Sequence, residues 1–563
     1  MTSRDGTGGG KMFESILRNP DYVGIDGAAA DKNHINNGLF TAKDVTVETR
    51  MAGERLAILV TAEKTPVCRV RIRWHFAEKL RGQVLGDTWE RAYADLEWKN
   101  ITPWQTMPWY CLVNDGDLTA GYGVMVRAGA ICGWQIDPEG ITLVLDVRNG
   151  GEGVELKGRT LEAATVVSKI YEGMSAFAAA QAFCKSLCDD PILPDRPVYG
   201  ANNWYYAYGR SSREDILADT AYLARLTEGA ENRPYMVIDD GWQKGRYDDE
   251  GHYEKIYNGG PWIPNERFGD METLAEEISK KNVVPGIWVR LLQDDLSGLP
   301  EEWKLPAGGL DPSVPGVLNL VQETVYRIGK WGYKLLKHDF STFDICGRWG
   351  SQMMGEMTED GWHFADRTKT TAEIIVGLYQ AIYDAAKPCG MMILGCNTVG
   401  HLGAGLMHMN RTGDDTSGLM WERTLRFGVN TLAFRMPQHG AFYDTDADCM
   451  GITGGIDWKY NRQWGRLLSL SGTSMFVSVK PDSLSQDQEK ELGEMLRANS
   501  ERREPAEPLD WQENGLPQEW KLDGKQESFH WYEPGGLRVG CAGGPIWERV
   551  WREVSAELDA KDI

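Results

Sequence analysis

Residues 333–340 read YKLLKHDF: a tyrosine and the apolar pair Leu335 and Leu336, followed at once by Lys337, His338 and Asp339. A short apolar run that stops on charged side chains is the pattern of a buried strand whose end opens on a functional surface. Working outward, seven similar runs stand on either side: ANNWYYAY (201–208), PYMVIDD (234–240), VVPGIWVR (283–290), MMILGC (391–396), LMHMNR (406–411), VNTLAFRM (429–436) and GTSMFVSVK (472–480). Between them lie amphipathic stretches such as REDILADTAYLARL, METLAEEISKK and TAEIIVGLYQAIYDAA. Alternating strand and helix patterns predict parallel βα units, and eight of them predict a closed (β/α)8 TIM barrel. An open doubly wound sheet has fewer strands and usually a glycine-rich first turn.

Upstream of Tyr199 the pattern is different. ERLAILVTAEK, CRVRIRWHF and GITLVLDVRNG are short β-rich runs, and Val70, Ile72, Trp74 and Phe76 alternate with Arg69, Arg71, Arg73 and His75. That period of two predicts half-buried antiparallel strands and a β-sandwich module. A helical stretch, MSAFAAAQAFCKSLC, leads into DDPILPDRP, where three prolines stiffen the connection. The expected organisation is multidomain: a β-sandwich over residues 1–195, the barrel over 196–500, and a small C-terminal β module over 501–563 with a charged tail.

The composition narrows the function. The 563 residues carry 60 Lys and Arg against 82 Asp and Glu, a net charge of −22, so there is no electrostatic footprint for a nucleic-acid backbone. The N-terminal stretch lacks an apolar signal core, and no segment approaches the roughly 18 apolar residues that suggest a membrane span. A soluble, unexported, cytoplasmic chain is expected. Ten cysteines without a CxxC do not make a disulfide scaffold, and Gly8 to Lys11 is not followed by the Ser or Thr of a phosphate loop. The 22 tryptophans suit sugar stacking, although Trp also fills cores.

In a (β/α)8 barrel the chemistry sits where the strands end. Strand two ends in Asp239-Asp240-Gly241-Trp242, strand four in Lys337-His338-Asp339, strand five in Gly395-Cys396-Asn397, and strand six in Arg411-Thr412-Gly413-Asp414-Asp415. Period two puts Leu335, Lys337 and Asp339 on one side and turns His338 to the other. A lysine beside a carboxylate favours its ionised form, as a nucleophile requires, although a structural ion pair has the same signature. Tandem Asp414 and Asp415 repel each other, which raises one pKa towards that of a proton donor; the same turn also suits a helix cap. One anionic and one protonated carboxyl are the requirement of glycoside hydrolysis. Asp239 and Asp240 offer acceptors for adjacent sugar hydroxyls, with a cation as the competing ligand. Trp204 and Trp288 are stacking candidates or core filler, and His401 and His408 make a weak metal pair.

At these residues the sequence resembles the α-galactosidases of glycoside hydrolase family 36, in the clan that also holds family 27. The likeness covers roughly residues 196 to 480: NNW with Trp204, DDGW at 239–242, GIW ending at Trp288, the KxD of Lys337 and Asp339, Cys396 after strand five, and Asp414 in the turn after strand six. The resemblance implies an N-terminal β-supersandwich and a C-terminal β-sandwich. It also implies retaining hydrolysis of terminal α-linked galactose, with Asp339 attacking the anomeric carbon and Asp414 as acid/base. Asp239, Asp240, Lys337, Cys396 and Arg411 would bind the sugar together with Trp204 and Trp288. No metal or organic cofactor is implied, and the expected partner is a carbohydrate, with homo-oligomerisation left open.

The sequence departs from the family pattern at GIWVRLL, where Arg290 replaces the usual Glu-Pro, and at CNTVGHL, which alters the wall at the sugar 2-position. An α-N-acetylgalactosaminidase and a galactosyl transferase of the raffinose-synthase kind therefore stand as alternatives. A catalytically silent sugar-binding protein is a third. Asp415, four residues after Arg411 rather than three, is the alternative acid/base.

Overall fold

The structure, a computed structural model, describes residues 13–537 apart from 27, 32–37, 94–95, 246–257 and 354, so Gly8 to Lys11 and the charged tail lie outside the described residues. Its chain divides into two compact units. One comprises residues 1–88, 98–187 and 367–373; the other comprises 89–97, 188–366 and 374–563.

The first unit holds two antiparallel sheets, of six and eight strands. Alternation in the strand Arg69–His75 sets its inner face: Val70, Ile72 and Trp74 are fully buried while the intervening positions are more exposed. Its neighbours Tyr22–Ile25 and Gly140–Asp146 pair with it antiparallel, Trp74 standing opposite Ile141. The largest strand, Thr160–Glu172, lies at the middle of the eight-stranded sheet between Arg55–Ala62 and Leu118–Val124.

In the second unit eight parallel strands close into a barrel. They are β1 (Tyr199–Asn202), β2 (Tyr235–Ile238), β3 (Val284–Val289), β4 (Leu335–His338), β5 (Met392–Gly395), β6 (Met409–Arg411), β7 (Asp444–Ile452) and β8 (Ser474–Val479). Val237, Leu335, Leu394, Met409 and Phe476 fill the barrel centre, one inward residue from each of five strands. Leu335 is therefore inward, and Lys337 and Asp339 follow it towards the C-terminal mouth on the same face. His338 faces out, fully buried against Tyr379 at 5.9 Å between ring centroids, as its parity predicts.

Two strand expectations need correction. The run 201–208 is a strand only as far as Asn202; Trp204–Ala207 is already a helical turn. The run 429–436 is not a strand: Leu425–Asn430 is a π-helical turn continuing into the helix Thr431–Arg435. The seventh strand is DTDADCMGI, 444–452, with every residue buried. Its acidic side chains hide it from a search for apolar runs: Asp448 is buried by pairing with Arg411, and Asp444 and Asp446 by hydrogen bonds from the Ser474 and Asp448 N–H groups.

The described C-terminal residues form a three-stranded antiparallel sheet, Glu507–Pro508, Glu519–Leu522 and Lys525–Ser528. Buried Trp520 and Trp531 anchor it, the Trp531 ring stacked on Phe529 at 4.7 Å. Among the described residues no helix is long and apolar enough to cross a membrane.

Candidate active site

Asp339 sits just past the end of β4 and is held by three N–H donors. The Trp288 indole donates to one carboxylate oxygen at 3.0 Å; the backbone N–H groups of Phe340 and Asn397 donate to the other at 2.8 and 3.0 Å. Trp288 is only 2% exposed, wedged against Trp262 and Phe340, so here it is a hydrogen-bond donor and not an open stacking face. Burial pushes the Asp339 carboxyl up, but Arg91 and then Lys337 pull it down, and it ends below the usual carboxylate range. An ionised carboxylate at the end of β4 is the electrostatic consequence.

Lys337 does not pair with Asp339. Its ammonium meets Asp239 at 2.7 Å, and Asn202 donates to the same carboxylate oxygen at 2.5 Å. The other Asp239 oxygen accepts the Asp240 N–H at 2.9 Å, while Gln243 donates to Asp240 at 2.6 Å. The β2 carboxylates and the β4 lysine thus form one preorganised polar wall. Trp204, half-buried, leans on Tyr208 at 5.1 Å between ring centroids, at the end of β1.

Across the mouth, the Asp414–Asp415 turn is clamped by three arginines. Arg91 and Arg423 take the two oxygens of Asp414 at 2.8 and 3.3 Å. Arg411 binds Asp415 at 3.2 Å, with Arg91 3.6 Å from the same oxygen. Arg411 also reaches Asp448 of β7 at 3.1 Å and the Cys396 sulfur at 3.3 Å, and is itself only 1% exposed. Burial pushes Asp415 up, but Arg411, Arg91 and Lys337 outweigh it and bring its carboxyl below the ordinary range. These cations work against the elevation that mutual repulsion would give Asp415. The turn does not cap a helix: the N-cap of Trp421–Thr424 is Met420.

The Asp415 charge pushes the Asp339 carboxyl up, and the Asp415 side chain keeps 30% exposure where that of Asp414 keeps 12%. Cys396 is 1% exposed, and burial pushes its thiol far up, so it lines the site as a neutral group. Arg290, the departure from the family pattern, is paired with Asp344 at 2.5 Å and lies over the Phe340 ring at 4.5 Å. His401 packs on Phe442, and His408 accepts the Ile393 N–H at 3.2 Å. Among the described residues no group of three or more His, Cys, Asp or Glu is arranged to hold a metal ion.

Several contributors were not picked out from the sequence. Asp446 and Asp448 sit on the acidic strand β7, where Asp448 accepts from Tyr205 and from the Thr416 N–H at 2.7 Å. Arg423 is on a short helix after the turn. Glu90 and Arg91 come from TWERAYADLEW, far upstream. The density of charge beside tryptophan in that stretch, and the DTDAD run, were the available signals.

No family model matches the sequence, and no curated protein matches it. Solved structures do match in fold. The α-galactosidase TtGalA from Thermus thermophilus, in complex with p-nitrophenyl α-D-galactopyranoside, superposes with a TM-score of 0.57 at 16% identity, over 86% of this chain and 96% of that one. The family 36 α-galactosidase AgaB from Geobacillus stearothermophilus gives 0.55 at 14% identity, over 84% of this chain and 68% of the other. The galactosidase domain of the α-galactosidase–sucrose kinase AgaSK gives 0.53 at 14%, over 86% and 70%. The chain thus has the multidomain TIM-barrel fold of the family 36 α-galactosidases.

Proposed function

We propose that this protein is a retaining exo-glycosidase that removes terminal α-linked galactose, with Asp339 as nucleophile and Asp415 as acid/base. The observation that carries the reading is a triply hydrogen-bonded Asp339, held below the usual carboxylate range, together with an acidic turn whose Asp415 charge acts on it at the C-terminal mouth of the barrel. The neighbour TtGalA was crystallised with an aryl α-galactoside and with stachyose, which agrees with a galactoside as substrate. The catalytic segment on this reading is residues 196–500.

In the first step Asp339 attacks the anomeric carbon and forms a galactosyl ester while Asp415 gives its proton to the leaving oxygen. In the second, Asp415 takes a proton from water, which attacks the ester and releases galactose with its configuration retained. The sequence favours Asp414 for this proton. Asp415 is the better candidate because Arg91 and Arg423 occupy both Asp414 oxygens. A bound sugar excludes water from the partly exposed Asp415 and so pushes its pKa up from the low value of the open site. Asp239, Asp240 and Lys337 hold hydroxyls on one side of the ring; Cys396 and Arg411 face the 2-position, and Trp204 flanks the entrance.

The test is hydrolysis of p-nitrophenyl α-galactoside by wild type and by Asp339→Ala, with the anomer of the first-formed sugar followed by proton NMR. Parallel α-N-acetylgalactosaminide and α-glucoside arms test the 2-substituent and the configuration, and an acceptor-sugar arm tests transfer. Wild-type inactivity on every substrate moves the reading to a sugar-binding protein.

A further inference from the structure

The chain leaves the sandwich unit after Thr88, gives residues 89–97 to the barrel unit, and returns at Trp98. At the barrel mouth this excursion meets the acidic turn through an isolated parallel bridge between Ala92 and Gly413. The Ala92 N–H donates to the Thr412 carbonyl at 2.9 Å, and the Asp414 N–H donates to the Ala92 carbonyl at 3.1 Å. Arg435 fastens both sides, reaching the Glu90 carbonyl and the Thr412 carbonyl. The register of Asp414 and Asp415 is therefore set by the excursion.

Its two charged residues point at opposite halves of the site. Glu90 is 3% exposed; one carboxyl oxygen accepts from the Tyr93 hydroxyl at 3.0 Å and the Gly350 N–H at 2.9 Å, and the other accepts the Asn397 side-chain amide. Asn397 is thereby fixed, its side-chain carbonyl accepting the Phe343 N–H at 3.2 Å and its own N–H binding Asp339 at 3.0 Å. Arg91, with 6% of its side chain exposed, takes Asp414 and approaches Asp415 and Cys396, and it is the cation that most strongly lowers the Asp339 carboxyl.

We propose that Glu90 and Arg91 are positioning residues for the two-carboxylate site: Glu90 orients the Asn397 N–H on the nucleophile, and Arg91 sets the acidic turn. This rests on the reading of Asp339 as nucleophile and deepens it. The backbone bends through residues 89–91 before Ala92 bridges to Gly413, and the two side chains reach different partners. A single dipeptide thus touches both halves of the site, Glu90 through Asn397 and Arg91 through Asp414. Misplacement of reacting groups by about 1 Å costs about a hundredfold in rate, so a device fixing both is a physical requirement of double displacement.

The experiment joins a kinetic readout to one that needs no activity. Carboxyl-labelled aspartate is followed by carbon NMR, with the Asp339 resonance assigned by Asp339→Asn, in wild type, Glu90→Gln, Arg91→Lys and Arg91→Ala. The other charges acting on Asp339, from Lys337 and Asp415, are unchanged in these variants. The Asp339 midpoint is expected to rise in all three, most in Arg91→Ala, and added guanidinium is expected to bring the Arg91→Ala midpoint back towards wild type. With p-nitrophenyl α-galactoside, kcat is expected to fall by about a hundredfold in Glu90→Gln and Arg91→Ala while KM moves much less. An unchanged Asp339 midpoint in all three folded variants overturns the proposal. If the midpoints move while wild type turns over no α-glycoside, the positioning role stands and the proposed function fails.

Discussion

The indole N–H of Trp288 on β3 reaches across the strand pair to the Asp339 carboxylate after β4, at 3.0 Å. This cross-strand bond, together with two backbone N–H groups on the other oxygen, leaves Asp339 one orientation towards the mouth. Because all three donors favour the ionised form, it also joins geometry to charge.

Trp288→Phe keeps the ring and removes the donor. The Asp339 pKa then rises, so the acid limb of kcat/KM for p-nitrophenyl α-galactoside shifts to higher pH. We expect a loss of about tenfold to a hundredfold in kcat/KM at neutral pH, in line with removal of one charge-assisted hydrogen bond. An unmoved acid limb contradicts the assignment of this bond.

Asp415 and Asp414 separate by chemical rescue. Asp415→Ala is expected to cleave activated aryl α-galactosides slowly and to accelerate when azide replaces water, giving a galactosyl azide with the α configuration. Asp414→Ala is expected to lose activity through disorder of the turn and to show no azide product. Azide rescue of Asp414→Ala alone reverses the two roles.

The three arginines around the turn leave a mark on the leaving-group dependence. With the Asp415 carboxyl below the ordinary range in the open site, little of it carries a proton at neutral pH. Alkyl α-galactosides, which need that proton, are expected to improve steeply from pH 7 to 5, whereas nitrophenyl galactosides change little. Equal pH profiles for both leaving groups argue against Asp415 as the donor.

Lys337→Met removes the partner of a buried carboxylate. Asp239 has 4% of its side chain exposed, and stranding a buried charge costs roughly 3–5 kcal/mol. Thermal and denaturant unfolding at pH 7 measure that loss. A change below about 1 kcal/mol, the size of a surface pair, removes the pair from the stability of the mouth.

Stability is expected to fall between pH 6.5 and 8. His338, His408 and His439, pushed down to about 4 by burial against an ordinary 6.5, are neutral in the folded and unfolded chains above that pH and drop out. Glu90 and Asp219, pushed up to about 7 by burial, and Asp444, pushed up to about 8, remain. The folded chain holds their protons where the unfolded chain has released them, so rising pH favours unfolding. Asp444→Asn is expected to flatten the decline of Tm over this window; an unaltered slope removes Asp444 as its source.

How much of this was legible beforehand depends on what each residue answers to. Period two alone placed Lys337 and Asp339 on the inner face of β4 and His338 outside it, because a strand's side-chain direction is a local property of its backbone. The apolar runs gave seven of the eight barrel strands for the same reason, and the charged residues that end them stand at the C-terminal ends of the strands. Tertiary structure alone decided the partners. Lys337 chose Asp239 over its neighbour in sequence, β7 was buried with Asp448 paired to Arg411, and Glu90 and Arg91 arrived from a segment more than 200 residues away to meet Asn397 and Asp414. Ion pairs and strand register join groups that only the closed barrel brings together, and no local period records them.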